Sequence, residues 1–191
     1  YKSLIQMKNI FLKLKPFHII LIISSIFVSF TLYLSLPSLF DYKKLQLKIE
    51  KQIESDFKIK LKNISQINYR FFPTPHLVIS KSDLYFEDKS DLKISTVNNL
   101  KIFISINKLY QNRQIKIKRM FLSDSNFNFN YHSYISFLDQ LNNFQNKRIN
   151  VKKSKFFFEN QNNEISLISS IDNLLYFFNE KTNQKKLKIN G

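Results

Sequence analysis

The stretch FHIILIISSIFVSFTLYLSL, Phe17–Leu36, contains no charged residue and lies between Lys15-Pro16 and Pro37. At a rise of 1.5 Å per residue, a helix of this length spans the bilayer hydrocarbon core of about 30 Å. A buried helix of a soluble protein would carry a polar stripe, and a signal peptide would have a shorter apolar segment and a small-residue cleavage site. The chain has no Ala and a single Gly, so an A-x-A-like site is absent. The sequence therefore predicts one uncleaved transmembrane helix over residues 17–36.

This helix divides the chain into residues 1–16, expected in the cytoplasm, and residues 37–191, expected to form one domain on the other side. The positive-inside rule counts Lys and Arg near the span, and here the two flanks balance. The lysines concerned are Lys2, Lys8, Lys13 and Lys15 before the helix and Lys43, Lys44, Lys48 and Lys51 after it. The pair at positions 13 and 15 favours an inside N-terminus, and the lack of Cys agrees with a domain outside the cytoplasm. The chain begins with Tyr1 and ends within an alternating pattern, so we expect it to continue beyond Gly191.

The formal net charge of +16 comes mostly from lysine, since only four of the 30 basic residues are Arg. A strongly basic chain can bind nucleic acid or an anionic membrane surface. The sequence shows no arginine cluster, and its lysines are spread along the whole chain. We therefore expect no nucleic-acid partner.

The residues after the helix are typical of a mainly β domain. Leu45, Ile49 and Ile53 recur every four positions and predict a short helix over Asp41–Ser55. Alternation of period two then begins at Phe57 and predicts roughly eight to ten antiparallel strands with one apolar face. A second short helix is predicted over Ser133–Gln145. The predicted strands cover residues 57–62, 67–72, 76–86 with a bulge or bend near Lys81, 99–106, 115–122, 127–131, 148–159, 164–178 and 185–189.

No group of residues in the chain has the spacing of a catalytic or metal site. His18, His76 and His132 are far apart and have no Cys or paired carboxylates beside them. The acidic cluster Glu87-Asp88 and Asp91 is typical of a solvated turn, and the single Gly rules out a glycine-rich phosphate loop. The sequence predicts a protein that is not an enzyme and has no cofactor.

From Phe72-Pro73-Thr74-Pro75 onward the chain resembles the N-terminal module of the AsmA-like family of Gram-negative envelope proteins. That module has a membrane helix, a short helix, a strand pair, a P-x-P segment and a strand with a regular aliphatic ladder. The matching segments are Phe17–Leu36, Leu45–Ile53, Phe57–Phe72, Leu77-Val78-Ile79, Asp83-Leu84, Leu100–Ile106, the corner Leu109-Tyr110, and Ile115–Leu122 leading to Phe127–Phe129. Glycines that the family carries after the short helix and at the corner are replaced here.

The resemblance implies an inner-membrane-anchored periplasmic protein of outer-membrane biogenesis, related to bridge-like lipid transfer proteins. It further implies a curved β-groove that carries phospholipid on an apolar floor, with the inner membrane and other envelope proteins as further partners. A single-pass periplasmic scaffold for secretion or division machinery is the alternative. Lys101 and Ser105 are expected to face away from the floor. The candidate lipid-facing residues are Leu100, Ile102, Ile104, Ile106, Ile115, Ile117, Phe127 and Phe129.

Overall fold

The computed structural model describes residues 16–86, 92–112, 114–130, 133–136, 148–162, 164–179 and 182–191. They form two compact units, divided after Leu39. The first unit contains helix α1, Pro16–Ser35, followed by a short 3-10 helix, Leu36–Leu39. No side chain of α1 is buried, and residues 16–39 are together long and apolar enough to span a membrane. The predicted apolar helix is therefore confirmed as a helix with an exposed surface.

The second unit opens with helix α2, Tyr42–Phe57, which buries Ile49 and Ile53. Asp41 caps the helix, because its carboxylate accepts hydrogen bonds from the backbone N–H groups of Lys43 (3.2 Å) and Lys44 (3.4 Å). The helix continues two residues beyond the predicted end, so Phe57 is its last residue and not the first residue of a strand. Phe57 is fully buried on the same face as Ile49 and Ile53.

Among the described residues, nine strands follow α2 and form one open sheet. Its order is β1-β4-β5-β6-β7-β8-β9, with β3 also paired to β5 and β2 paired to β3. The strands are β1 Ile59–Lys62, β2 Ile67–Arg70, β3 His76–Ile79, β4 Ser82–Phe86, β5 Lys93–Ile104, β6 Ile117–Phe129, β7 Arg148–Glu159, β8 Ile165–Asn179 and β9 Gln184–Asn190. The mainly β fold class is therefore confirmed.

The prediction of antiparallel pairing holds for every described pair except β6 and β7, which run parallel. A parallel pair needs a crossover of a dozen or more residues, and residues 130–147 supply that length. Residues 133–136 in this crossover are helical, as predicted, and the rest of the predicted helix, together with the turn at residues 87–91, lies outside the described residues. Period-two alternation cannot distinguish the two pairing directions, which explains the wrong prediction.

Two other boundaries differ from the sequence pattern. The predicted irregularity near Lys81 is a complete break, with β3 and β4 lying end to end against β5. Ile106, predicted as the last residue of a strand, instead begins helix α3, Ile106–Asn112, which also contains the predicted corner at Leu109.

A line of irregular residues crosses the sheet, and at this line the buried positions of each long strand change phase. In β6, for example, the buried residues change from Met120 and Leu122 to Ser125 and Phe127. Asp124, between these two sets, has φ 54°, and Lys153 beside it in β7 has φ 46°. We call this line the crease; it consists of Asn63–Ser65, Ser80–Lys81, Asn98–Asn99, Ser123–Asp124, Lys152–Lys153 and Asp172–Asn173.

The pairing register is the same on both sides of the crease. Val97 pairs with Ser125, and Asn99 pairs with Ser123. The extra residues of neighbouring strands lie opposite one another, so the strands remain paired in register. The buried face therefore stays on the same side of the sheet across the crease. The boundary between two panels of the sheet runs through the crease, and each crease residue on a long strand is counted with its own half of that strand. Panel 1 contains residues 67–70, 76–79, 99–104, 117–123, 148–152, 173–179 and 184–190, and panel 2 contains residues 59–62, 82–86, 93–98, 124–129, 153–159 and 165–172.

Candidate functional site

All eight residues predicted to face lipid are buried in protein. Six lie on strands, while Ile106 begins α3 and Ile115 precedes β6. Their relative exposures are 0% for Leu100 and Ile102, 3% for Ile104, 7% for Ile106, 5% for Ile115, 1% for Ile117, 5% for Phe127 and 1% for Phe129. Because lipid would have to displace the protein around them, lipid contact at these positions stays a prediction.

Two of these residues belong to continuous apolar rows that cross panel 1. In the first row, neighbouring strands place the residues directly opposite one another: Ile67, Ile79, Leu100, Leu122, Val151, Leu174 and Ile189. The second row runs parallel to it and contains Tyr69, Leu77, Ile102, Met120, Ile149, Tyr176 and Leu187. Each row therefore crosses seven strands from β2 to β9 without a charged residue.

Exposure changes sharply along both rows. Helix α2 packs against β1, β2 and β6, and the middle of each row is buried. At β9, however, Ile189 is 54% exposed and Leu187 is 50% exposed. Within the described strands, the rows thus pass from a closed hydrophobic core to an exposed apolar surface at β9.

Panel 2 has a similar apolar surface, built mainly from phenylalanine. Phe127 stacks on Phe156 with 4.6 Å between ring centroids, and Phe129 lies 5.8 Å from Phe158. Phe158 pairs with Leu167 on β8, which is exposed. The aromatic side chains, like the two rows of panel 1, change from buried to accessible towards β8.

The accessible part of the apolar face was missed by the sequence analysis. Leu187 and Ile189 were recognised as alternating strand residues, but exposure depends on which strands α2 covers. The sequence does not show which strands α2 covers, since Leu187 and Ile102 differ little in hydrophobicity. We call Leu187, Ile189 and Leu167 the open apolar face.

The surroundings of His76 are those of a residue that supports the fold. His76 is buried, its Nδ1 lies 2.6 Å from the carbonyl oxygen of Thr74, and its ring stacks on Phe103. Burial lowers the pKa of His76, and Lys101 and nearby arginines lower it further, although the Thr74 hydrogen bond opposes them. Because a carbonyl oxygen can only accept, Nδ1 of His76 donates this hydrogen bond.

Asp83 stabilises the crease at Asn63, which lies between the end of β1 and the start of β2. Its carboxylate lies 2.7 Å from Lys93 Nζ, accepts a hydrogen bond of 2.7 Å from Asn63 Nδ2, and accepts a third of 3.0 Å from Thr96 Oγ1. Burial raises the pKa of Asp83, but these hydrogen bonds outweigh burial and leave the pKa below its usual range. A carboxylate with three donors is held as an anion and is a poor general acid or base.

No cluster of three metal-ligating side chains occurs among the described residues. His18 lies on α1, and His132 and the Glu87–Asp91 segment lie outside the described residues. No family model matches the chain, and no curated protein matches it either. The AsmA-like resemblance and the expectation of no enzymatic activity therefore both stay predictions.

Proposed function

We propose that this chain is an inner-membrane-anchored periplasmic protein of the AsmA-like kind, whose sheet holds phospholipid acyl chains on its open apolar face. Helix α1 supports the anchor, because it is long and apolar enough to cross a bilayer and buries none of its side chains. The curved groove and the role in outer-membrane biogenesis come from the resemblance alone.

The observation that carries the proposal is the change in exposure along the two apolar rows. Exposed apolar surface in soluble monomers is normally scattered, and contiguous apolar patches commonly mark a binding site. Here the exposed residues continue a row of buried ones, with Ile189 directly opposite Leu174 and Leu187 directly opposite Tyr176. Acyl chains match such a surface chemically, since each buried CH₂ contributes about 0.8 kcal/mol.

Site-specific photo-crosslinking in cells tests this proposal. A photo-reactive residue at position 187 or 189 should capture phospholipid, because both side chains lie on the open apolar face. The matched controls are positions 186 and 188, whose side chains alternate to the opposite face of the same strand. Equal lipid capture from both faces would contradict the proposal.

Positions 102 and 104 extend the same experiment to the predicted floor. They should capture lipid only if the protein that buries them moves away. Lipid capture at 187 and 189 without capture at 102 and 104 would confine the lipid site to the part of the sheet near β9.

A reporter fusion tests the orientation. Alkaline phosphatase fused after Gly191 should be active if the second unit is periplasmic. An inactive phosphatase, together with an active cytoplasmic reporter at the same site, would overturn the orientation but leave the sheet surfaces unaffected.

The alternative function is a scaffold that binds other envelope proteins, and one observation favours it. Among the described strands, β9 pairs only with β8, so its other edge can pair with a further strand, whether of this protein or of a partner. Lys185, Lys186 and Lys188 on this strand discourage indiscriminate pairing, as lysines on edge strands commonly do. Crosslinks from positions 187 and 189 to protein alone would favour the scaffold.

A further inference from the structure

The two panels of the sheet differ in charge. Panel 1 contains no Asp or Glu, while in panel 2 acids and lysines nearly balance. The acids of panel 2 are Asp83, Asp124, Glu159 and Asp172, and its lysines are Lys60, Lys62, Lys93, Lys153 and Lys155. The basic residues of panel 1 are Arg70, Lys101, Lys118, Arg119, Arg148, Lys152, Lys185, Lys186 and Lys188. Lysines that are evenly spread along the sequence are therefore concentrated by the sheet in a panel whose described residues include no acid.

Most of these cations lie on the face of panel 1 opposite the two apolar rows. Adjacent strands align Arg70, His76, Phe103, Arg119 and Arg148 in one row of this face. The next row contains Asn68, Val78, Lys101, Phe121, Asn150, Leu175 and Lys188. We call this surface the basic face.

Aromatic rings hold several of these cations in place. The Arg119 guanidinium lies 3.9 Å from the centroid of the Phe103 ring, and the Nζ atoms of Lys101 and Lys152 each lie 5.8 Å from the centroid of Phe121. A stacked guanidinium keeps its N–H donors directed outward, in the geometry that binds phosphate oxygens in pairs. The nearest acids along the strands, Asp124 and Asp172, lie at the crease and not among these residues.

A short segment of chain joins the apolar segment to the second unit, which carries the basic face. Tyr42 at the start of α2 stacks on Tyr69 of panel 1, with ring centroids 6.1 Å apart and planes 10° apart. Leu39, the last residue of the first unit, is only three residues before Tyr42. Three residues span at most about 11 Å, so Tyr42 stays within that distance of the end of the apolar segment.

From this charge and this tether, we propose that the basic face of panel 1 binds the anionic phospholipid headgroups of the membrane that holds the chain's own helix. Lys and Arg near an anionic leaflet attract it over about a Debye length, and aromatic residues are favoured at the headgroup level. The short tether limits how far the unit that carries this surface can move from the membrane. The inference rests on the membrane anchor of the proposed function, but not on acyl-chain binding by the opposite face.

Fluorescence quenching in reconstituted bilayers tests the proposal with the full chain. The chain has no Cys, so one introduced cysteine carries one label. Asn68→Cys places a fluorophore on the basic face, and Asn128→Cys places it at an exposed strand position of panel 2. Ser25→Cys, in the middle of α1, reports insertion through quenching by acyl-chain-brominated lipid and so tests the anchor separately.

With a quencher on the lipid headgroup, the label at position 68 should be quenched in bilayers that contain phosphatidylglycerol, but not in purely zwitterionic ones. Raising the salt concentration from 0.1 M to 1 M should remove the quenching, because the Debye length falls from about 10 Å to about 3 Å. The label at position 128 should be quenched in neither bilayer.

Charge variants with the same net change complete the test. The triple variant Arg148→Gln, Lys152→Gln, Lys188→Gln should weaken docking roughly 100-fold, since each cation near an anionic surface contributes about fivefold. The control variant Lys51→Gln, Lys62→Gln, Lys155→Gln removes the same charge elsewhere in the unit and should leave the quenching unchanged.

Three results would overturn the proposal while Ser25 still reports insertion. The first is equal quenching at positions 68 and 128. The second is an equal loss of quenching in both triple variants, which would show that binding depends only on the net charge of the protein. The third is an absence of headgroup quenching combined with tight binding of an oligonucleotide or an acidic polypeptide to the basic face.

Discussion

Lys153 is the crease residue whose conformation is least suited to its side chain, and replacing it tests the crease directly. Its φ of 46° lies in the left-handed region, which Asn and Asp tolerate better than Lys does. The left-handed conformation costs a non-glycine residue about 1–2 kcal/mol. Lys153→Gly removes this cost but adds about 0.5–1 kcal/mol of backbone entropy lost on folding. We therefore expect the variant to raise the free energy of unfolding by about 0.5–1 kcal/mol.

Lys152→Gly is the matched control, because Lys152 is the adjacent residue, is also exposed and has a negative φ. There, glycine relieves no strain, and the free energy of unfolding should fall by about 0.5–1 kcal/mol. The two variants lose the same charge and the same side chain but change stability in opposite directions.

Urea unfolding of the full chain in detergent micelles, followed by far-ultraviolet circular dichroism, measures this difference. The chain has no Trp, so tyrosine fluorescence is the second probe of the same transition. Equal destabilisation by the two glycine variants would show that Lys153 does not adopt the left-handed conformation. The alignment of crease residues across β6 and β7 would then be wrong.

Three further predictions concern the core and the titrating groups. Asp83→Asn should lower the free energy of unfolding by about 2 kcal/mol at pH 7, because it weakens charge-assisted hydrogen bonds. As the pKa of Asp83 is lowered in the folded state, the wild-type advantage should be lost when acid titration passes below the usual aspartate range. The pKa of His76 is also lowered in the folded state, so the unfolded state takes up a proton first as the pH falls. The free energy of unfolding should therefore decrease below about pH 6.5. The variant His76→Asn, which can keep a hydrogen-bond donor to Thr74, should reduce that pH dependence in urea titrations at several pH values. In the same urea assay, Ile102→Ala should lower the free energy of unfolding by about 2–5 kcal/mol and Ile189→Ala by less than about 1 kcal/mol, because only the loss of the Ile102 side chain leaves a closed cavity. Equal losses would show that the Ile189 side chain is buried.

Local pattern was sufficient to predict the extent of several elements. Helix α2 and strands β7, β8 and β9 lie within a few residues of their predicted bounds. In β7 and β8 the alternation shifts phase at the crease, but it resumes at once on the other side, so the strand continues. In residues 76–86 the alternation of apolar residues changes phase, and this change marks the crease. It was seen in that segment alone, because the other strands were assigned to a face from only part of their length.

Features that depend on pairing between distant segments could not be predicted in this way. The parallel pairing of β6 with β7, the burial of Ile102 beneath protein, and the acid-free composition of panel 1 all depend on which strands become neighbours. The lysines are uniformly distributed in the sequence, yet the sheet order places the acids of the described strands in panel 2. The functional interpretation of the charge therefore changes once the register is known.

Strand β9 carries residues of both proposed surfaces, and this allows the two proposals to be separated. Leu187 and Ile189 face the same side as the buried core, while Lys186 and Lys188 face the other side, because successive side chains alternate along a strand. The double variant Leu187→Gln, Ile189→Gln should reduce acyl-chain capture by crosslinkers at exposed positions of the open apolar face, such as position 167, and leave headgroup quenching at position 68 intact. The double variant Lys186→Gln, Lys188→Gln should do the reverse. Loss of both signals in either variant would show that the surfaces are not independent. A one-residue slip of β9 along β8 would exchange its faces and reverse the pattern, so the two variants also test the register.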